Sequence, residues 1–152
     1  MPSGRRHSIC TAVIAASSAS ALFLYSPSAA LWCGTGALAG LLITPDADLG
    51  VNISHHYIRK YLGVPAELVW RVIWKPYAMF CSHRGFLSHS YIVSTVIRLL
   101  YLGLWILPFW YWLKLPPIEF RPWMGWMFVG LLLSDISHSA MDAADKLLGG
   151  RL

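Results

Sequence analysis

"YIVSTVIRLLYLGLWILPFWYWL", residues 91–113, carries one charged residue, Arg98, in a run built mostly from aliphatic and aromatic side chains. A bilayer span needs about 20 apolar residues, so this stretch is long enough to cross a membrane. Directly before it stands "CSHRGFLSHS", residues 81–90, with two histidines and an arginine. Scarce polar chemistry is therefore gathered at the mouth of the greasiest segment.

Working outward, three further apolar runs appear at 9–25, 29–44 and 123–141. The last is comfortably long and the first two are short for spans. Composition agrees with an all-α integral membrane protein of about four transmembrane helices. Hydrophobic residues make up 57% of 152 residues, only 12% are charged, and there are eight tryptophans. A soluble core of this size cannot hide that much apolar surface. The length suits a single membrane-embedded domain over residues 1–152.

The N-terminal "RRHSICTAVIAASSASALFLYSPSAALW" also has the shape of a signal peptide, with a basic start and small residues near Ala29 and Ala30. The second apolar run follows at once, which favours a retained helical hairpin broken at "SPS". Small residues from Ala15 to Ser20, with Gly34, Gly36 and Gly40, would let its helices approach closely. Between the second and third runs, "HHYIRKYLGVPAELVWRVIWKPYAMF" mixes basic and apolar residues. It reads as one or two amphipathic helices on the cytoplasmic interface, punctuated by Pro65 and Pro76.

With four spans, both termini and the 45–90 loop share one face. That face carries Arg5, Arg6, Arg59, Lys60, Arg71, Lys75, Arg84, Lys146 and Arg151, and the other only Lys114 and Arg121. The positive-inside bias places both termini in the cytoplasm. The net charge of +5 then reads as loop topology and contact with anionic lipid. No nucleic-acid-binding motif is present, and nucleic acid is not an expected partner. Cys10, Cys33 and Cys81 have no metal-knuckle spacing and suggest no disulfide framework.

The chemistry-bearing residues converge on that same face. His7 precedes the first span, Asp46 and Asp48 follow the second, His83 and His89 precede the third, and His138 and Asp142 close the fourth. Asp135, His138, Asp142 and Asp145 recur at three, four and three residues, one stripe of a helix. A His and an Asp one turn apart can grip a single ion. His83 and His89 would diverge on a straight helix, and Gly85 allows the bend that aims both at one centre. Imidazole with carboxylate selects a divalent metal, foremost zinc, with manganese or iron as alternatives and one to three ions in all. Such an ion would acidify water for attack on an ester. Arg84 is the candidate catalytic residue, a fork of donors for a phosphate oxygen. Asp145 reads as a solvated helix-end charge, and His55 and His56 as interfacial polar residues. Arg98 and Asp135 both fall about 10 Å inside the cytoplasmic face at 1.5 Å per residue. An ion pair between them would relieve two costly intramembrane charges.

Four motifs in order, Gly4–His7, "PDAD" at 45–48, "HRGFLSH" at 83–89 and "SHSAMD" at 137–142, resemble a family. It comprises small bacterial membrane proteins described as uncharacterised metal-binding proteins (domain of unknown function 2227). The sequence is also similar to the related inner-membrane predicted metal-dependent hydrolases regulated by LexA. Where these families often place an Asp after the first His, this chain has Ser8. The resemblance implies a bacterial inner-membrane location. It also implies a helical fold distantly similar to zinc-dependent phospholipase C and the P1 nucleases, which act on phosphoesters. The expected function is thus a membrane-bound metal-dependent hydrolase of a phosphoester, such as a lipid or lipid-linked substrate at the cytoplasmic face. The alternatives are a non-catalytic metal-binding membrane protein and a structural subunit of a larger membrane complex.

Overall fold

The computed structural model describes residues 4–49, 52–81, 90 and 92–148, and the regular structure among those residues is all helical, without a strand. Its elements are α1 (Gly4–Phe23), α2 (Pro27–Ala39), a 3-10 turn (Pro45–Asp48), α3 (Ile53–Phe80), α4 (Val93–Trp112) and α5 (Pro122–Leu147). Four of them stand where the apolar runs stand. By length and composition, however, α4 alone among the described residues qualifies to cross a membrane. With 13 residues, α2 is about 20 Å long against a hydrocarbon thickness of about 30 Å.

The α1–α2 hairpin turns at Ser26, whose hydroxyl accepts from the Ala29 amide at 3.2 Å, while Pro27 opens α2 where its missing N–H costs nothing. The three helices α1, α2 and α5 form the tightest part of the fold. A Cβ added to Gly36 would lie 2.0 Å from the Met127 carbonyl oxygen, one on Gly130 1.9 Å from that of Cys33, and one on Gly40 2.1 Å from the Ser134 hydroxyl. Here backbone meets backbone, the small-residue packing that membrane helices use in place of hydrophobic interdigitation. The glycines that pack on α1 and on α5 differ. Gly34 faces Ala19 and Ala15 on α1, whereas Gly36 and Gly40 receive α5.

Contacts fix the directions. Trp32 stacks near Trp123, Gly36 meets Met127 and Gly40 meets Ser134, so α2 and α5 run parallel. Thr11 meets Ser134 at 3.3 Å and His7 stacks on His138, so α1 and α5 run antiparallel. The start of α1, the end of α2 and the end of α5 therefore lie together at one end.

At that end Thr44 caps the 3-10 turn, and Asn52 reaches back with its side-chain amide to the Asp46 carbonyl at 2.7 Å. Asn52 also caps α3, its carbonyl oxygen accepting from the Ser54 amide at 2.9 Å, with His55 completing a capping box. The break in α3 falls at Gly63, whose φ of 87° lies in the left-handed region. It divides α3 into 53–62 and 64–80. Pro65 sits in the first turn of the second piece, and Pro76 lies inside it without ending it. Ala47 of the turn packs with Trp74 and Tyr77 of α3 and with Cys81 at its C-terminal cap, backed by Ile97 and Tyr101 of α4. The Tyr101 hydroxyl donates to the Ile73 carbonyl.

The buried side chains of α4 are Ser94, Thr95 and Arg98, all polar. Arg98, fully buried, pairs with Asp135 of α5, which is 1% exposed, and Thr95 donates to the same carboxylate oxygen. The sequence-based pairing of Arg98 with Asp135 is thus present. Asp145, expected as a solvated charge, is instead 5% exposed, because the buried stripe of α5 continues through it. His55 is likewise buried, held by its capping role, while its neighbour His56 faces out.

Candidate metal centre

Two helical stripes build the centre. On α1 the residues His7, Thr11 and Ala15 recur every fourth position and are buried. On α5 the facing stripe is Ser134, His138 and Asp142. Because the helices run antiparallel, Thr11 meets Ser134 and His7 meets both His138 and Asp142.

The imidazoles of His7 and His138 stack with centroids 3.9 Å apart and planes at 20°. Both turn a nitrogen toward one carboxylate: His7 Nε2 lies 3.4 Å from Asp142 Oδ1, and His138 Nε2 lies 3.6 Å from Asp142 Oδ2. Asp46 enters from the 3-10 turn, its Oδ1 3.4 Å from His138 Nε2. One ligand atom from each of His7, His138 and Asp142 lies within 4.8 Å of the others.

These spacings fit a divalent ion. Donors bound at about 2.1 Å at tetrahedral angles are separated by about 3.4 Å. Burial supports the same reading, since His7 and His138 are only 7% and 5% exposed and the two imidazoles face carboxylates inside the bundle. The carboxylate of Asp46 is poised as an anion. Burial alone would raise its pKa, but the hydrogen bond and charge of His138, with help from His7, outweigh burial and the opposing Asp142 and hold it below 3.8.

Of the residues expected at the centre from sequence, His7, Asp46, His138 and Asp142 come together. Asp48 closes the 3-10 turn, and its side chain lies outside the described set. His83, Arg84 and His89, with Gly85, also lie outside the described residues. Sequence reasoning passed over Asn52, which ties the Asp46 backbone to α3, and Thr95, which shares Asp135 with Arg98. Asn52 had a legible signal, an Asn immediately before a helical run. Thr95 had one too, three residues before the charged Arg98 of an apolar run.

Comparison with known proteins gives one assignment. The family model described as "Uncharacterized metal-binding protein (DUF2227)" matches residues 2–120. That span includes the motifs of His7, Asp46 and His83–His89 and stops before the α5 motif. No curated protein and no solved structure matches the chain.

Proposed function

We propose, from the premise that the chain belongs to this uncharacterised metal-binding family, that it is a membrane-embedded, metal-dependent hydrolase of a phosphoester, with a lipid or lipid-linked substrate. The observation that carries the metal assignment is the buried group of His7, His138 and Asp142, with Asp46 beside it. These four residues would hold the ion, joined by Asp48, His83 and His89. Zinc suits a mixed imidazole and carboxylate set, with manganese or iron next. A divalent ion bound there supplies Lewis acidity.

The chain's own residues set the terms. Asp46 and Asp142, carboxylates that are ordinarily ionised at neutral pH, would together offset a dication. Thr11 and Ser134 fix the separation of α1 and α5 one turn away, and thereby the approach of His7 to His138. Asn52 orients the Asp46 backbone. Arg84 would stabilise charge developing on a phosphoryl oxygen. The resemblance of the motifs to the LexA-regulated predicted hydrolases supports hydrolysis.

Membrane embedding is supported by the inside-out character of α4. Its buried residues are polar, while Leu100, Leu104, Phe109 and Trp112 are all more than half exposed. Intramembrane ionisable residues face the bundle interior and pair, as Arg98 does.

A second reading, a closed metal site without catalysis, is favoured by the deep burial of His7 and His138. Metal quantification of the purified chain and of His138→Ala tests the common part. The unmodified chain should carry stoichiometric divalent metal, and His138→Ala should lose most of it. Metal-free protein in both preparations would sink both readings. Phosphodiester turnover by the loaded chain, abolished in Arg84→Ala with metal retained, separates the first from the second.

A further inference from the structure

At the end of the bundle where the candidate metal donors lie, the start of α1, the end of α2 and the first turns of α3 line an open groove of about 540 Å3. Its apolar lining includes Ile9, Leu38 and Leu42, and its polar lining is Arg5, Ser8, Tyr57 and Tyr61. The volume lies within the usual range of small-ligand clefts, about 300–1,000 Å3.

The charge around it is one-sided. Neither α1 nor α2 contains an acidic residue. The one acidic residue of α3, Glu67, is bound to Arg71 through two hydrogen bonds, at 3.1 and 2.5 Å. Arg5, Arg6 and Lys60 form no ion pair with a carboxylate among the described residues. Lys60 instead lies over the Tyr61 ring at 5.3 Å. Arg5 therefore lines an apolar groove, and Lys60 lies beside its Tyr61, neither with an ion-pair partner among the described residues.

We propose that this groove is a binding site for an anionic glycerophospholipid of the bilayer. The phosphate lies among Arg5, Ser8 and the two tyrosines, and the upper part of an acyl chain lies against Ile9, Leu38 and Leu42. A zwitterionic headgroup brings its own cation to a site that already carries Arg5, with Lys60 beside it, and is disfavoured. Tyrosines at this depth suit the headgroup level, with an apolar ring and a polar hydroxyl. The site is separate from the metal donors, although Arg5 and His7 are near neighbours on α1. The inference rests on the membrane reading above, and does not require the chain to be an enzyme.

The test is native mass spectrometry of the detergent-purified full chain, exchanged against phosphatidylglycerol and phosphatidylcholine with matched chains. The unmodified protein should retain phosphatidylglycerol preferentially. Arg5→Gln should reduce that preference about fivefold, the contribution of one basic residue at an anionic surface. Leu38→Trp, at a half-exposed wall position, should reduce retention of both lipids by filling the groove. Metal content should stay at its unmodified level in both variants. Equal retention of the two lipids, or an Arg5→Gln variant that behaves like the parent, overturns the lipid site and leaves the metal centre standing. Release of the protein from membranes by an alkaline wash overturns the bilayer reading and the lipid site together.

Discussion

Substituting Gly130 by alanine tests whether the metal centre depends on backbone contact between α2 and α5. The new Cβ would stand 1.9 Å from the Cys33 carbonyl oxygen and 2.7 Å from the Ala37 amide nitrogen. Both are backbone atoms of α2, so no flexible side chain can swing away. To restore an ordinary contact the helices must separate by more than an ångström. Overpacking of this kind costs about 1–3 kcal/mol, and the rigidity of both partners places Gly130→Ala at the upper end. Alanine's better helix propensity recovers about 1 kcal/mol at most. The separation also reaches the centre, because His138 lies about two turns along α5 and Asp46 follows α2 through a short turn. The 3.4 Å spacing of His138 and Asp46 should widen and metal affinity should fall. Gly103→Ala on α4 is the control, since nothing lies within 4 Å of its added Cβ. Thermal unfolding in detergent and metal titration of the two variants give the answer. Equal melting temperatures and equal metal affinities for Gly130→Ala and Gly103→Ala would refute the backbone-contact account.

Two further outcomes follow from buried charge. Arg98→Leu and Asp135→Leu each strand a buried ion and should each destabilise by about 3–5 kcal/mol. The double variant should recover part of that loss, and a double no better than either single would count against the pair. The pKa of His55 is lowered from 6.5, chiefly by burial and further by Arg71, against an opposing pull from Glu67. Its stabilising contribution is therefore fully present above pH 6.5, and it disappears as pH falls through the lower folded pKa. Unfolding of the chelated protein between pH 7.5 and 5 should show this as lost stability that is smaller in His55→Asn. A pH response identical in the two proteins would refute it.

The positions of the helices were legible because apolar runs and punctuation are local properties. "SPS" marked the α1–α2 turn, and the prolines after Leu115 marked the gap before α5. The kink in α3 was assigned to its prolines but falls at Gly63, because a backbone at positive φ needs glycine, whereas Pro65 fits the first turn of a new helix. The site was legible through topology. His7 and Asp142 lie far apart in sequence, yet both follow from placing charged loops on one side. The side on which each glycine packs was not legible, since Gly34, Gly36 and Gly40 share a helix and only tertiary contact separates them. The burial of Asp145 was equally hidden, because a charge near a helix end looks solvated until its neighbours are known.

The distribution of side chains also bears on what holds this fold together. Between α1, α2 and α5 the buried residues include His7, Thr11, Cys33, Ser134, His138 and several glycines and alanines, while the large apolar residues other than Leu131 are mostly turned outward. In water, burial of Leu, Ile and Phe would have to supply the driving force, at about 25 cal/mol per Å2 of apolar area. Here those side chains are largely on the surface, so that term is weak, and α4 buries only Ser94, Thr95 and Arg98. In a bilayer the balance reverses, because outward leucines lose nothing and close helix contact together with interior polar pairing carries the association. The candidate metal donors belong to that same polar interior, on the stripes that also carry Thr11 and Ser134. An ion bound by His7 on α1, Asp46 after α2, and His138 and Asp142 on α5 would therefore join three helices whose packing otherwise relies on small residues. Removing it should loosen the α1–α2–α5 contact before it affects the Trp74–Tyr77–Tyr101 cluster, whose aromatic rings come from α3 and α4 and which touches the site side only through Ala47.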